Sequence, residues 1–186
     1  MKQGMLMMVL AGLSLSVPAF AEAPKAPTQL RPPSACQKNP ALCKNVVANV
    51  ACPDPGAQIE FRLVRRTSQF AGVIEVKASV KNFGGPYVTG PNQQLLNLYE
   101  VVPGAAPRLV ASKPFANLAS GEVASLTFSR TWNASSPAEG EFPPSYRAII
   151  SYDPDILLDG NVKNDDCRAA NNVIEQSGTQ INALFH

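Results

Sequence analysis

Four cysteines, a single histidine and a run of acidic residues toward the C-terminal end carry the most restrictive chemistry in this 186-residue chain. The histidine, His186, is the last residue. No firmly held imidazole is therefore at hand for a Ser-His-Asp or Cys-His nucleophile, nor for the several histidines of a zinc hydrolase. Cys36, Cys43, Cys52 and Cys167 lack the close paired spacing of a zinc ribbon. An even set of cysteines reads instead as two disulfides, with three connectivities open. No metal and no cofactor is implied.

Carboxylates supply the remaining candidates. Glu139 with Glu141 and Asp153 with Asp155 are the nearest pairs in sequence, and glycoside hydrolysis asks only for two acids across a cleft. Both pairs lie beside proline in stretches that read as solvated loops, so a small enzyme or enzyme inhibitor is an alternative and not the preferred reading. Asp153, Asp155, Asp159, Asn161, Asp165 and Asp166 offer oxygen ligands of the kind calcium takes. Leu157 stands where a third ligand belongs, however, and no glutamate closes the loop. The expectation is a long hairpin loop held by Asx-turns, with a calcium-stabilised structural subunit as the other alternative. Tyr87, between Gly85-Pro86 and Gly90-Pro91, sits in a connection from which a ring does not readily reach a core, and is the candidate contact residue for a partner, with folding back over the sandwich edge as the equal alternative. Arg62, Arg65 and Arg66 have no aromatic partners, so they read as solvated or acid-paired and not as a nucleic-acid site.

The compartment follows from residues 1–21. Lys2, an apolar run from Met5 to Val17 and then Ala19-Phe20-Ala21 make the three parts of a secretory signal peptide, with cleavage expected after Ala21. The run is shorter than the ~20 apolar residues a bilayer span needs. A secreted or periplasmic protein without a transmembrane segment in its mature part is expected. With Lys2 removed, fifteen basic residues face fourteen acidic ones, a balance that gives no field for nucleic acid. The acidic excess is local: residues 148–186 hold six acidic and two basic groups.

Residues 22–57 form a Pro-rich leader with Cys36, Cys43 and Cys52, where repeated prolines remove backbone donors and block regular structure. Beyond it, short β-branched and aromatic runs alternate with Gly, Pro, Asn and Asp. Ile59, Phe61 and Leu63 share one face of a strand; Ile74, Val76, Ala78 and Val80 share one face of the next, against Glu75, Lys77, Ser79 and Lys81. Further strands are predicted over 94–102, 108–112, 123–132, 146–152 and 173–181. In the fifth of the seven, Trp132 shares its face with Leu126, Phe128 and Arg130, which places it in the core or at its margin. Seven strands without helical crossovers predict an all-β fold, an antiparallel immunoglobulin-like sandwich over 58–182 with a disulfide-clipped N-terminal extension and a tail at 183–186. Ile181, Ala183 and Phe185 alternate as an outer-membrane barrel strand would, but seven strands with proline-laden connections argue against a barrel. In such a sandwich the start of the first strand and the loop before the last lie at one end. That pairs Cys52 with Cys167 and leaves Cys36 with Cys43 as a clip in the leader.

The runs Val76-Lys77-Ala78-Ser79-Val80-Lys81-Asn82-Phe83-Gly84-Gly85, Leu98-Tyr99-Glu100, Leu118-Ala119-Ser120-Gly121-Glu122 and Tyr152-Asp153-Pro154-Asp155 leading to Asn171-Asn172 together resemble the bacterial cell-adhesion-related domain, CARDB. The resemblance implies a fibronectin-III or immunoglobulin-like sandwich in a bacterial surface or periplasmic protein. From it follows the preferred expectation, a non-catalytic module that recognises an envelope protein or a surface glycan through loops and strand edges. The chain departs from the family between Asp159 and Ala170, where Asn164-Asp165-Asp166-Cys167-Arg168 replaces the usual acidic pattern.

Overall fold

A computed structural model describes residues 52–186. Seven strands build two antiparallel sheets: β1 (Pro55–Arg66), β2 (Ala71–Asn82), β3 (Gln94–Val101), β4 (Arg108–Pro114), β5 (Val123–Asn133), β6 (Ser145–Tyr152) and β7 (Val173–Ser177). One sheet has the order β1-β2-β5 and the other β4-β3-β6-β7. The fold is all-β in its framework, and period-two patterning explains why. On β2 the residues Ile74, Val76, Ala78 and Val80 are fully buried while Val73, Glu75, Lys77 and Lys81 on the other face are half-exposed. They meet Leu96 and Leu98 of β3 and Tyr146, Ala148 and Ile150 of β6 in one core. Trp132 lies in that core, 2% exposed. Among the described residues no helix is long and apolar enough to cross a membrane.

The first strand starts at Pro55, inside the stretch expected to be leader. Its opening residues pair in register with the end of β2, Pro55 opposite Asn82 and Ala57 opposite Val80, so tertiary pairing recruits a proline that the sequence marks as a breaker. At an edge strand the missing proline N–H costs no ladder bond. The chain just before β1 also passes so close to Gly84 that a β-carbon there would collide with the Cys52 carbonyl. That is the physical reason for a glycine at this turn.

The last strand ends at Ser177, not Ile181. After Gly178 the chain turns into a short helix, α1 (Thr179–Asn182), and a 3₁₀ turn, Ala183–Phe185. The Ile181–Phe185 alternation thus belongs to helical residues four apart, both buried: Ile181 at 0% and Phe185 at 3% exposure. They close one end of the core. The predicted tail packs because its ends are tied down. Arg66 donates to the carbonyls of Leu184 and Phe185 (3.1 and 3.0 Å) and lies over the Phe185 ring, while Trp132 Nε1 donates to Asn182 Oδ1 (2.8 Å).

Candidate functional site

Three connections meet at the end of the sandwich where β1 begins: β2–β3 (83–93), β4–β5 (115–122) and β6–β7 (153–172). Asn82, fully buried, organises them. Its Nδ2 donates to the Gly85 and Leu118 carbonyls (2.6 and 3.0 Å), and its Oδ1 accepts from the Asp54 and Gly84 amides (3.2 and 3.1 Å). Buried amide groups need this many partners to offset their lost hydration. Gln94, 1% exposed, does the same for β3: its Oε1 accepts from the Tyr87 and Thr89 hydroxyls, and its Nε2 donates to the Phe115 carbonyl.

Tyr87 is therefore not a contact residue. It forms a bridge with Leu118, stacks at a tilt against Phe115 with ring centroids 6.0 Å apart, and has no exposed surface. The flanking Gly-Pro pairs fold the connection back over the sheets, and this long-range pairing brings the ring inside. Burial, with the Asp166 and Asp159 charges adding to it and a hydrogen bond to Thr89 opposing it, pushes the hydroxyl up to about 12.

The β6–β7 connection is the largest of the three and is built from the Asx-turns expected of its composition. Asp153 Oδ1 accepts from the Asp155 amide (3.1 Å), Asp159 Oδ1 from Asn161 (2.7 Å), Asn161 Oδ1 from Lys163 (3.2 Å) and Asp166 Oδ1 from Arg168 (2.8 Å). Backbone bonds from Asp153 to the Gln93 carbonyl (2.7 Å) and from Val88 to the Lys163 carbonyl (2.9 Å) stitch it to the β2–β3 connection. The Cys52–Cys167 disulfide, with Cα atoms 6.1 Å apart, anchors it to the start of β1, and Asn171 Nδ2 adds a bond to Asp54 (2.7 Å). Cys36 and Cys43 lie outside the described residues.

A cleft of about 370 Å³ opens at this connection, lined by apolar Pro154, Ile156 and Leu157 together with Tyr152, Asp153, Asn164, Asp166 and Asn172. In the same connection Leu157, Leu158 and Val162 are 68%, 82% and 71% exposed. Asn164 and Asn172 are buried, and the Oδ1 of each has no hydrogen-bond donor. Burial drives the Tyr152 hydroxyl well above its ordinary value, helped by the Asp166 carboxylate it donates to. Hydrogen bonds from Asn164 and the Asn161 amide hold the exposed Asp159 carboxyl below the usual range.

The other predicted residues are separate from this end. Glu139 is paired with Arg130 (2.5 Å) and hydrogen-bonded to Ser136 in the turn Pro137–Glu141. It is committed to structure and is not poised opposite Glu141. Arg62 pairs with Glu75 across β1 and β2 (3.1 Å). Among the described residues no three His, Cys, Asp or Glu side chains converge as a metal group would.

Sequence reasoning missed the polar group inside the core. Glu100, 4% exposed, accepts from Arg108 (2.6 Å), Arg130 (2.5 Å) and the Tyr146 hydroxyl (3.1 Å). Burial alone would raise its pKa, but the two guanidinium groups outweigh that and hold it below the ordinary glutamate value. Its signal was the strand period: Glu100 continues the inward series Leu96, Leu98, and Arg130 lies on the inward face with Phe128 and Trp132.

No protein-family model and no characterised protein sequence matches the chain. Part of the structure is similar to a region of a putative β-galactosidase from Bacteroides fragilis, at a TM-score of 0.35 and 16% identity, covering 67% of this chain and 16% of that one. A β-glucosidase from Listeria innocua in complex with glucose is matched at a TM-score of 0.29 and 15% identity, covering 66% and 16%. The chain spans about one sixth of each of these proteins, and likeness at this level carries no functional argument.

Proposed function

We propose that the chain is a non-catalytic binding module of the bacterial envelope, exported by residues 1–21 and built as a fibronectin-III-type, immunoglobulin-like sandwich of the cell-adhesion-related kind. The strand order β1-β2-β5 facing β4-β3-β6-β7 supports the finer fold reading. A disulfide joining residues 115 positions apart supports an oxidising compartment. The observation that carries the function is the β6–β7 connection. It is held by Asx-turns, a disulfide and cross-connection bonds, yet it exposes Leu157, Leu158 and Val162 in a stretch rich in acidic residues. Ordered apolar side chains in water gain by burial against a partner, and an already rigid loop loses little entropy on binding. One carboxylate of each candidate pair, Asp153 in a turn and Glu139 in an ion pair, is already engaged, which favours contact over catalysis.

The test is co-purification from envelope extracts, alongside binding to a panel of surface glycans, with the natural chain and a Leu157→Ser, Leu158→Ser, Val162→Ser triple variant. The expected result is a defined partner, protein or glycan, lost in the variant. Equal capture by both chains, or none by either across several ionic strengths, would reject the reading.

A further inference from the structure

The Cys52–Cys167 bond is unusual in where it lies. Cysteine is among the most regularly buried residue types, yet both members of this pair are exposed to solvent, and neither belongs to the core. A nucleophilic thiolate can therefore reach the bond in the folded chain, and accessible disulfides are the exchangeable ones.

Its position gives exchange a consequence. Cys52 stands just ahead of β1, and Cys167 lies in the β6–β7 connection that exposes Leu157, Leu158 and Val162. Besides the S–S bond, these two segments are joined by the Cys167 amide donating to the Pro53 carbonyl (3.1 Å) and by Asn171 Nδ2 donating to Asp54 (2.7 Å). Such bonds have a modest net worth, because water competes for both partners. The segment ahead of β1 is held independently from its other side: the Gly85 amide donates to the Cys52 carbonyl (3.0 Å), the Phe83 amide to the Asp54 carbonyl (2.8 Å) and the Asp54 amide to Asn82 Oδ1 (3.2 Å). The Cys167 sulfur lies 3.0 Å from the Pro53 carbonyl oxygen, so a thiol there has an acceptor in place. Reduction thus leaves Cys52 fixed and Cys167 able to swing away and return. The two thiols still meet often enough to close the bond again.

We propose that Cys52–Cys167 is a reversible redox clasp, opened and closed in the folded state by a dithiol protein, and that it controls whether the β6–β7 connection is held ready for contact; this second part rests on the contact-surface reading above. A thiolate of the dithiol attacks the Cys52 sulfur. A new S–S bond forms there as the Cys52–Cys167 bond breaks, and the electron pair leaves on Cys167, which takes a proton from water and donates to the Pro53 carbonyl. The second thiolate of the dithiol then displaces Cys52, which is protonated in turn, and a disulfide closes within the reductant. The chain gains two electrons and two protons, and the dithiol loses the same. A monothiol serves less well, because Cys167, held close by, expels it before a second one arrives.

The test equilibrates the full exported chain, purified without reductant, with dithiothreitol at graded ratios of reduced to oxidised form. Samples are quenched in acid, alkylated and mapped by mass, which reads Cys52 and Cys167 apart from Cys36 and Cys43. Amide deuterium exchange is followed at the same ratios. Cys52 and Cys167 should gain one label each, together, at ratios where β2, β3 and β6 stay protected; exchange in 153–172 should rise, and oxidised dithiothreitol should reverse both changes. Labelling only where the whole sandwich loses protection would overturn the proposal, and so would opening that leaves exchange in 153–172 unchanged. Capture from envelope extracts separates the two readings: the oxidised chain should retain its partner and the reduced chain should lose it. Equal capture in both states overturns control of contact by the clasp and leaves the contact surface standing. Opening as expected with no capture in either state leaves the clasp standing and overturns the contact surface.

Discussion

Two polar clusters occupy opposite ends of the sandwich, and they are built on different terms. At one end Glu100 is buried among Arg108, Arg130 and Tyr146, and Arg130 passes on to Glu139, so every charge has an opposite charge or a donor. At the other, Asp159, Asp166, Asn164 and Asn172 also hydrogen-bond one another, but two buried oxygens are left over and large apolar side chains stand in water beside them. A network that closes on itself ties the two sheets together and offers nothing to a ligand. A network that leaves buried acceptors without donors, in a loop that a disulfide and backbone bonds keep in place, is the less complete of the two. The difference lies in satisfaction, because both clusters are polar and both hold buried members.

The comparison can be broken most forcefully at the disulfide. Replacing Cys52 and Cys167 by serine should cost about 5 kcal/mol on the chain-entropy account of a loop this long. Urea melts should show that loss, and amide exchange should rise first in 153–172. A small loss with unchanged exchange would mean that the hydrogen-bond net alone holds the loop.

At the closed end, Glu100→Gln leaves two guanidinium groups facing a neutral amide. The expected cost is about 3 kcal/mol, at the lower end for a buried pair because Arg130 keeps Glu139 and is partly exposed. Since the folded-state pKa of Glu100 is depressed, its contribution is present above the unfolded glutamate value of about 4.3 and is lost as pH falls through the lower folded value. Stability measured against pH should therefore show natural chain and variant converging on the acid side. Parallel curves would contradict the assignment.

Tyr87→Phe sharpens the point that this ring is core. Loss of the hydroxyl's bond to Gln94 should cost about 1 kcal/mol and leave partner capture unchanged; a loss of capture at full stability would restore Tyr87 to the surface. The smallest effect belongs to Leu157→Ser, Leu158→Ser and Val162→Ser, each within about 0.5 kcal/mol by chemical melts because these side chains bury little. A larger loss would show that they pack in solution.

Local patterning made much of the framework legible. The alternation of Ile74, Val76, Ala78 and Val80 reads directly as one buried face, and the Asp and Asn spacing after Tyr152 reads as Asx-turns, because both depend on residues two positions apart. Where partners come from far along the chain the reading failed. Tyr87 is drawn inward by Leu118 and Gln94, Pro55 is recruited into a strand by Asn82, and the Ile181–Phe185 stretch is made helical and packed by Trp132 and Arg66. The cleft was half visible: its acids stood out in the sequence, whereas nothing local marked Asn164 and Asn172 as buried with open oxygens.

The sequence by itself determined that this protein is built of alternating strands and that its acidic turns crowd one late connection. Those properties live in residue types and in a two-residue period. Only the tertiary structure decided which polar groups are closed by partners and which remain open. Satisfaction of a hydrogen-bonding group depends on side chains tens of positions away that the folded chain brings within 3 Å, and no neighbouring residue announces it.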